Sequence, residues 1–298
     1  MTERKEITME NYLLGLYEKG MPNSLTLPEK LVEASKAGFD YMELSIDESD
    51  EKLARLNWSE REIHEITEAV FDTKTPIKSI CLSGHRRFPL GDPDTGIQRK
   101  SLEVMQNAID LASKLGVRVI QIAGYDVYYK PSSKETHDIF AKNLALSVHM
   151  AAQEGIILAF ETMETEFINT VKKAYYWVNI MQSPYLQIYP DIGNITNASV
   201  LYGTNVLEDL ESGRGHIVAV HLKETKPGIF REVPYGTGNV DFPAAVAKSL
   251  QLGVRMFVGE FWYLGEKNWR DTLRQNNAFL REAIMKANEP SSGNKLKL

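Results

Sequence analysis

The chain has 298 residues and a formal net charge of −6, which argues against nucleic acid or an anionic membrane as partner. Apolar residues make up 43%, enough for a full core in one α/β barrel or in two smaller domains. The single cysteine, Cys81, excludes an internal disulfide and suits a reducing cytoplasm.

Strand and helix patterns alternate from one end to the other. The start, MTERKEITMENY, has no apolar signal core, and no apolar run reaches the ~20 residues that span a bilayer, so a cytoplasmic protein is expected. A strand at about 12–17 leads to a helix near 27–37, and KAGFDYMELS then enters a second strand at 39–46. Ser59 and Glu62 form a capping box for an amphipathic helix to about Phe71. A third strand at 76–82 precedes an apolar helical stripe of Leu102, Met105, Ile109 and Ala112. KLGVRVIQIAG gives a fourth strand at 117–123, followed by a helix near 135–153. QEGIILAFE gives a fifth at 156–161 and LQIYPD a sixth at 186–191, with a helix at 169–181 between them. A helix near 202–211 leads into GRGHIVAVHL, the seventh strand, at 216–222. Another near 241–251 leads into QLGVRMFVGE, the eighth, at 254–260, before a last helix at 269–287 and a frayed polar tail from Glu289.

Gly38, Gly116 and Gly155 each sit just past a helix end, where a left-handed residue closes the helix. Eight strand-helix units in about 290 residues read as a single (β/α)8 TIM barrel spanning 1–298. An open doubly wound sheet is the alternative, but no G-x-G-x-x-G follows the first strand. The longest connections, GHRRFPLGDPD, GYDVYYKPSSK and KETKPGIFREVPYGTGNVD, all follow strands, which marks one end as the active face.

Four consecutive strands deliver a ligand-type residue to that face: Glu161, Asp191, His221 and Glu260, separated by 30, 30 and 39 residues. Alternation places Glu161 with Ala159, His221 with Ala219 and Ile217, and Glu260 with Val258. Three carboxylates and an imidazole suit one divalent ion such as Mn²⁺, Zn²⁺, Co²⁺ or Mg²⁺. The bland reading is that each polar residue simply meets solvent at the rim, and four in succession at matching parity weigh against it. Glu43 ends the second strand and hydrogen-bonds a ligand or the substrate, or else pairs with a nearby lysine. His85, Arg86 and Arg87 form a basic cluster suited to a phosphate or carboxylate, or else two surface ion pairs. Lys223 and Lys226, just beyond His221, could serve the same anion. The aromatic run Tyr125 to Tyr129 covers a small ligand or packs on its neighbours, and Cys81 is expected to be inert.

The stretches GLYEK, MELSIDESDEKLARLNWS, CLSGHRRFPLG, RVIQIAGYDVYY, YPDIGN, GHIVAVHLKETKPGIF and VPYGTGNVDF resemble the L-ribulose-5-phosphate 3-epimerases (L-xylulose-5-phosphate 3-epimerases) of bacterial L-ascorbate and related pentose catabolism. The resemblance covers nearly the whole chain and implies a xylose-isomerase-like barrel. Some relatives carry the name hexulose-6-phosphate isomerase. It implies a divalent metal held by Glu161, Asp191, His221 and Glu260, with Glu161 and Glu260 moving the substrate proton. It also implies a substrate contact three residues after the metal aspartate, here Asn194. An arginine that related ketose 3-epimerases carry six residues past the metal histidine falls here on Pro227, so Lys223 or Lys226 takes over anchoring.

The expected reaction is C3 epimerisation of a small phosphorylated ketopentose through a cis-enediolate, without a redox cofactor. A homodimer is compatible with it. A ketose-phosphate isomerase would use the same metal to move a proton between C1 and C2, and a sugar-binding protein would leave the four ligands incidental. A DNA-repair endonuclease on this barrel would need more active-face histidines than His85 and His221, and a basic surface.

Overall fold

Residues 12–288 are described by a computed structural model; the expected tail from Glu289 lies outside them. The described residues form eight strands: β1 (Leu13–Tyr17), β2 (Tyr41–Ile46), β3 (Ile77–Leu82), β4 (Val119–Ala123), β5 (Ile157–Glu161), β6 (Leu186–Tyr189), β7 (Val220–Leu222) and β8 (Met256–Gly259). All their ladders are parallel, in the order β6-β5-β4-β3-β2-β1-β8-β7. Isolated bridges Ile188–Ile217 and Asp191–His221 join β6 to β7 and bring the ring nearly to closure. The expected (β/α)8 barrel is the fold found.

The helices are α1 (Leu27–Lys36), α2 (Asp50–Ala54), α3 (Glu60–Thr73), α4 (Thr95–Leu115), α5 (Lys134–Glu154), α6 (Val171–Met181), α7 (Ile192–Tyr202), α8 (Val206–Ser212), α9 (Phe242–Gln251) and α10 (Trp269–Asn288). The Ser59–Glu62 capping box opens α3 as expected. Gly38, Gly116 and Gly155 take φ of 86°, 70° and 65°, the left-handed helix closure read from the sequence. No helix among the described residues is long and apolar enough to cross a membrane.

Three expectations need correction around β6 and β7. β6 stops at Tyr189, not at Asp191, because Pro190 has no N–H to continue a ladder. β7 is regular only over Val220–Leu222, and its neighbour across the seam answers through single bridges. The helix expected near 202–211 is α8, and α7, directly before it, was not expected from the sequence. The β-branched and asparagine content of ITNASV has weak helix propensity. Asp191 caps α7, and its residues Ile192 to Ala198 are all buried. Tertiary burial therefore makes the helix that local preference does not.

One buried ion cluster ties the exit of β1 to β2 and α2. Glu18 is fully buried and meets Lys30 Nζ at 3.2 Å, Lys52 Nζ at 2.6 Å and Arg55 Nη1 at 2.5 Å, while accepting from Ser45 N at 2.9 Å. Burial raises its pKa, but Arg55, Lys30 and Lys52 outweigh that and hold the carboxyl at about 2. A folded-state pKa below the unfolded 4.5 gives stability that is present above pH 4.5 and lost as pH falls toward 2. The linked contribution is roughly 3 kcal/mol. Glu18→Gln should cost about 3–5 kcal/mol, since it strands buried cations, and should flatten the acid limb of stability. Urea unfolding between pH 2 and 6 reads both effects; an unchanged acid limb in the variant would refute the assignment.

Candidate active site

Strand periodicity builds the site as a layer. The barrel interior is filled by Tyr17, Tyr41, Cys81, Val119, Ala159, Tyr189, Ala219 and Val258. Two residues beyond Tyr41, Ala159, Tyr189, Ala219 and Val258 come Glu43, Glu161, Asp191, His221 and Glu260. Each side chain therefore points inward one layer nearer the active face. Ile217 does not follow the parity expected of it: it packs on the outer core, because regular alternation begins only with β7.

One ligand-type atom from each of Glu161, Asp191, His221 and Glu260 falls within a common 4.8 Å, and all four residues are buried. His221 Nδ1 lies 3.0 Å from Glu260 Oε2, 3.4 Å from Glu161 Oε1 and 4.0 Å from Asp191 Oδ2. Asp191 uses Oδ1 to cap α7, accepting from Asn194 N at 2.7 Å, and so turns Oδ2 toward the others. His221 Nδ1, Asp191 Oδ2 and Glu260 Oε2 are buried without a properly angled hydrogen bond, although Lys223 Nζ stands 2.9 Å from Asp191 Oδ2. Buried polar atoms normally have partners, so this convergence of unused donor atoms fits a divalent cation.

The charges agree. Burial pushes the Asp191 carboxyl up to about 7, with Lys223 opposing the rise and Glu260 reinforcing it. Burial also works against ionised Glu260, but Lys223 and His221 outweigh it and keep that carboxyl below its ordinary range. His221 is pushed well above the imidazole range: burial lowers it, and Glu43 and Glu260 more than reverse the effect.

A family model for the xylose isomerase-like TIM barrel matches residues 31–283. An L-ribulose-5-phosphate 3-epimerase of Escherichia coli (strain SMS-3-5 / SECEC) is 44% identical over 229 residues, 77% of this chain and 79% of that protein. Another from Salmonella choleraesuis is 44% identical over 240 residues, 80% of this chain and 83% of that one. The chain belongs to the L-ribulose-5-phosphate 3-epimerases, within the xylose isomerase-like barrels. It is an isomerase of the epimerase class. The solved structure of an L-ribulose 3-epimerase matches the fold with TM-score 0.75 at 17% identity, covering 96% of this chain and all 100% of that one. A D-tagatose 3-epimerase-like protein matches at TM-score 0.76 and 19% identity, covering 93% and 98%.

Around its four converging residues the epimerase distributes the other candidates unevenly. Glu43 meets no lysine among the described residues; it is fully buried with Oε1 2.6 Å from His221 Nε2. Lys223 is buried against Asp191 and lies 3.6 Å from Glu260 Oε2, so it belongs to the carboxylate cluster. Asn194 is buried beside Asp191, donating Nδ2 to Thr162 O at 2.7 Å and leaving Oδ1 without a partner among the described residues. Lys226 is exposed at a tight turn closed onto Ile229.

The expected HRR cluster separates. His85 turns into the core against Ser101 O at 3.1 Å, and burial lowers its pKa to about 4, so it offers no cation to an anion. Arg87 pairs with Asp50 at 2.6 Å on the surface. Arg86 alone stays at the mouth, its guanidinium 4.5 Å above the Tyr128 ring, its Nη1 3.7 Å from Glu48 Oε1 and its Nε buried without a partner among the described residues. Tyr128 donates to Glu164 at 2.8 Å, and Arg231 donates to the same oxygen at 2.9 Å. Arg231 went unmarked in the sequence because it is a lone arginine in a long loop; only Glu164 reveals its position.

Proposed function

We propose that this epimerase interconverts L-xylulose 5-phosphate and L-ribulose 5-phosphate by moving the proton on C3, with one divalent ion held by Glu161, Asp191, His221 and Glu260. The observation that carries the reading is the meeting of four buried ligand-type side chains at the ends of four successive strands. The names of the relatives supply the substrate class. A divalent ion in this position would polarise the C2 carbonyl and acidify the adjacent C3–H bond.

The chain's own groups do the rest. Glu161 and Glu260 come from β5 and the end of β8, three strands apart around the ring, and flank His221 Nδ1. One takes the C3 proton from one face of the sugar, and the other returns a proton to the opposite face. Lys223, 2.9 Å from Asp191 Oδ2 and 3.6 Å from Glu260 Oε2, holds a positive charge in the cluster that would stabilise developing enediolate charge. Tyr17, with its ring centroid 6.2 Å from His221, and Trp262, edge-on to Tyr17, pack beside the site. Arg86 anchors the phosphate, supported by its position at the mouth and its unused buried Nε.

The test is proton exchange in D₂O. Incubation with L-xylulose 5-phosphate should place deuterium at C3 and yield the C3 epimer, whereas deuterium at C1 would make the enzyme a ketose-phosphate isomerase. In the same assay Arg86→Ala should raise KM for the phosphorylated sugar by about 10- to 150-fold, the equivalent of a lost charge-assisted contact, and leave unphosphorylated L-xylulose nearly unaffected. An equal effect on both sugars would remove Arg86 from the phosphate site.

A further inference from the structure

We propose that Glu43 is a positioning residue that fixes His221 in the Nε2–H tautomer and so turns Nδ1 into the metal-ligating nitrogen. The inference rests on the metal reading above and deepens it.

His221 and Glu43 are both fully buried, 178 positions apart in sequence, and reach each other across the barrel interior from β7 and β2. Glu43 Oε1 is 2.6 Å from His221 Nε2. Its other oxygen, Oε2, accepts from Ser79 Oγ at 2.7 Å and from Tyr189 Oη at 2.9 Å. A carboxyl facing two hydroxyl donors and an imidazole is fully used as an acceptor, so the proton in the short contact belongs on Nε2. The other neutral tautomer would set the Nε2 lone pair against a carboxylate oxygen at that same distance, which is repulsive. With Nε2 holding its proton, Nδ1 is the nitrogen whose proton a divalent ion would displace, turning its lone pair to the ion among Glu161, Asp191 and Glu260.

The ring is also held in plane. The Tyr189 ring meets it edge-on, with centroids 4.9 Å apart, and the same Tyr189 hydroxyl steadies Glu43. Residues on β2, β3, β6 and β7 therefore share one device, and none of Glu43, Ser79 or Tyr189 needs to touch the sugar. A carboxylate behind a ligating histidine orients it and raises its basicity, and removing such a partner typically weakens metal binding about 10- to 100-fold.

Zn²⁺ serves as the probe, in competition with a chromophoric chelator, on wild type, Glu43→Leu and Glu43→Gln. Glu43→Leu should bind Zn²⁺ about 10- to 100-fold more weakly. Glu43→Gln should recover most of that loss, since its amide oxygen still accepts from Nε2–H. Proton-nitrogen spectra of ¹⁵N-histidine-labelled, Zn²⁺-loaded wild type should show the His221 proton on Nε2; this readout holds even if the leucine variant does not fold. A proton on Nδ1, or equal Zn²⁺ affinity in wild type and Glu43→Leu, overturns the assignment. Wild type that binds no Zn²⁺ overturns the metal reading, and this one with it.

Discussion

Glu161→Gln and Glu260→Gln should each abolish C3 epimerisation, a loss of at least the 10²- to 10⁴-fold (about) that one general base contributes. Inversion through a planar enediolate needs proton transfer at both faces, and one rigid carboxylate reaches only one. The two glutamates come from strands three apart around the ring, reach within 3.4 and 3.0 Å of His221 Nδ1, and are both buried. Glu260 is also kept ionised: burial opposes its charge, but Lys223 and His221 prevail. Glutamine preserves shape and one oxygen that can still face the ion, so folding and part of the bound metal should survive. Each single variant, given the epimer whose C3–H faces its remaining carboxylate, should still wash deuterium into C3 without inverting it. The two variants should therefore differ in the epimer they label. Equal labelling of both epimers by both variants would rule out two opposed bases, as would full epimerase activity in either one.

Asp191→Asn and His221→Ala should lose bound divalent metal and activity together. Each removes one donor from a set whose atoms lie within 4.8 Å of one another. Asparagine is the sharper substitution at position 191. Asp191 Oδ1 caps α7, and alanine there would cost about 1 kcal/mol of helix stability in addition to the ligand. Asparagine is an equally good cap, so Asp191→Asn separates ligand loss from helix loss. Metal-free wild type and Asp191→Asn should then show the same helical circular dichroism, while elemental analysis of purified Asp191→Asn shows little metal. If His221→Ala keeps stoichiometric metal, the imidazole is not a ligand and the Glu43 assignment loses its basis too.

The linear chain carries the barrel because each of its cues is local. Gly38, Gly116 and Gly155 close helices by a backbone conformation of their own, and the apolar runs of β4, β5 and β8 need only period-two alternation to be legible. Glu161, His221 and Glu260 were legible for the same reason, since parity along a strand fixes which face a side chain takes. Asp191 was legible by residue type but not by element, because Pro190 ends β6 and hands it to α7 as a cap.

What pattern could not assign was partnership across the barrel. His85, Arg86 and Arg87 are adjacent in sequence, yet one is core, one faces the mouth and one is a surface ion pair. Glu43 was visible as a strand-end carboxylate, while its contact with His221, 178 residues away, exists only because the ring brings β2 and β7 to face each other. Arg231 finds Glu164 across two loops that no periodicity relates. Sequence alone determined the inward-facing layer, because side-chain direction is set by each residue's immediate neighbours; only the tertiary structure decided which of those side chains meet, because closing the ring sets the distances between strands remote in the chain.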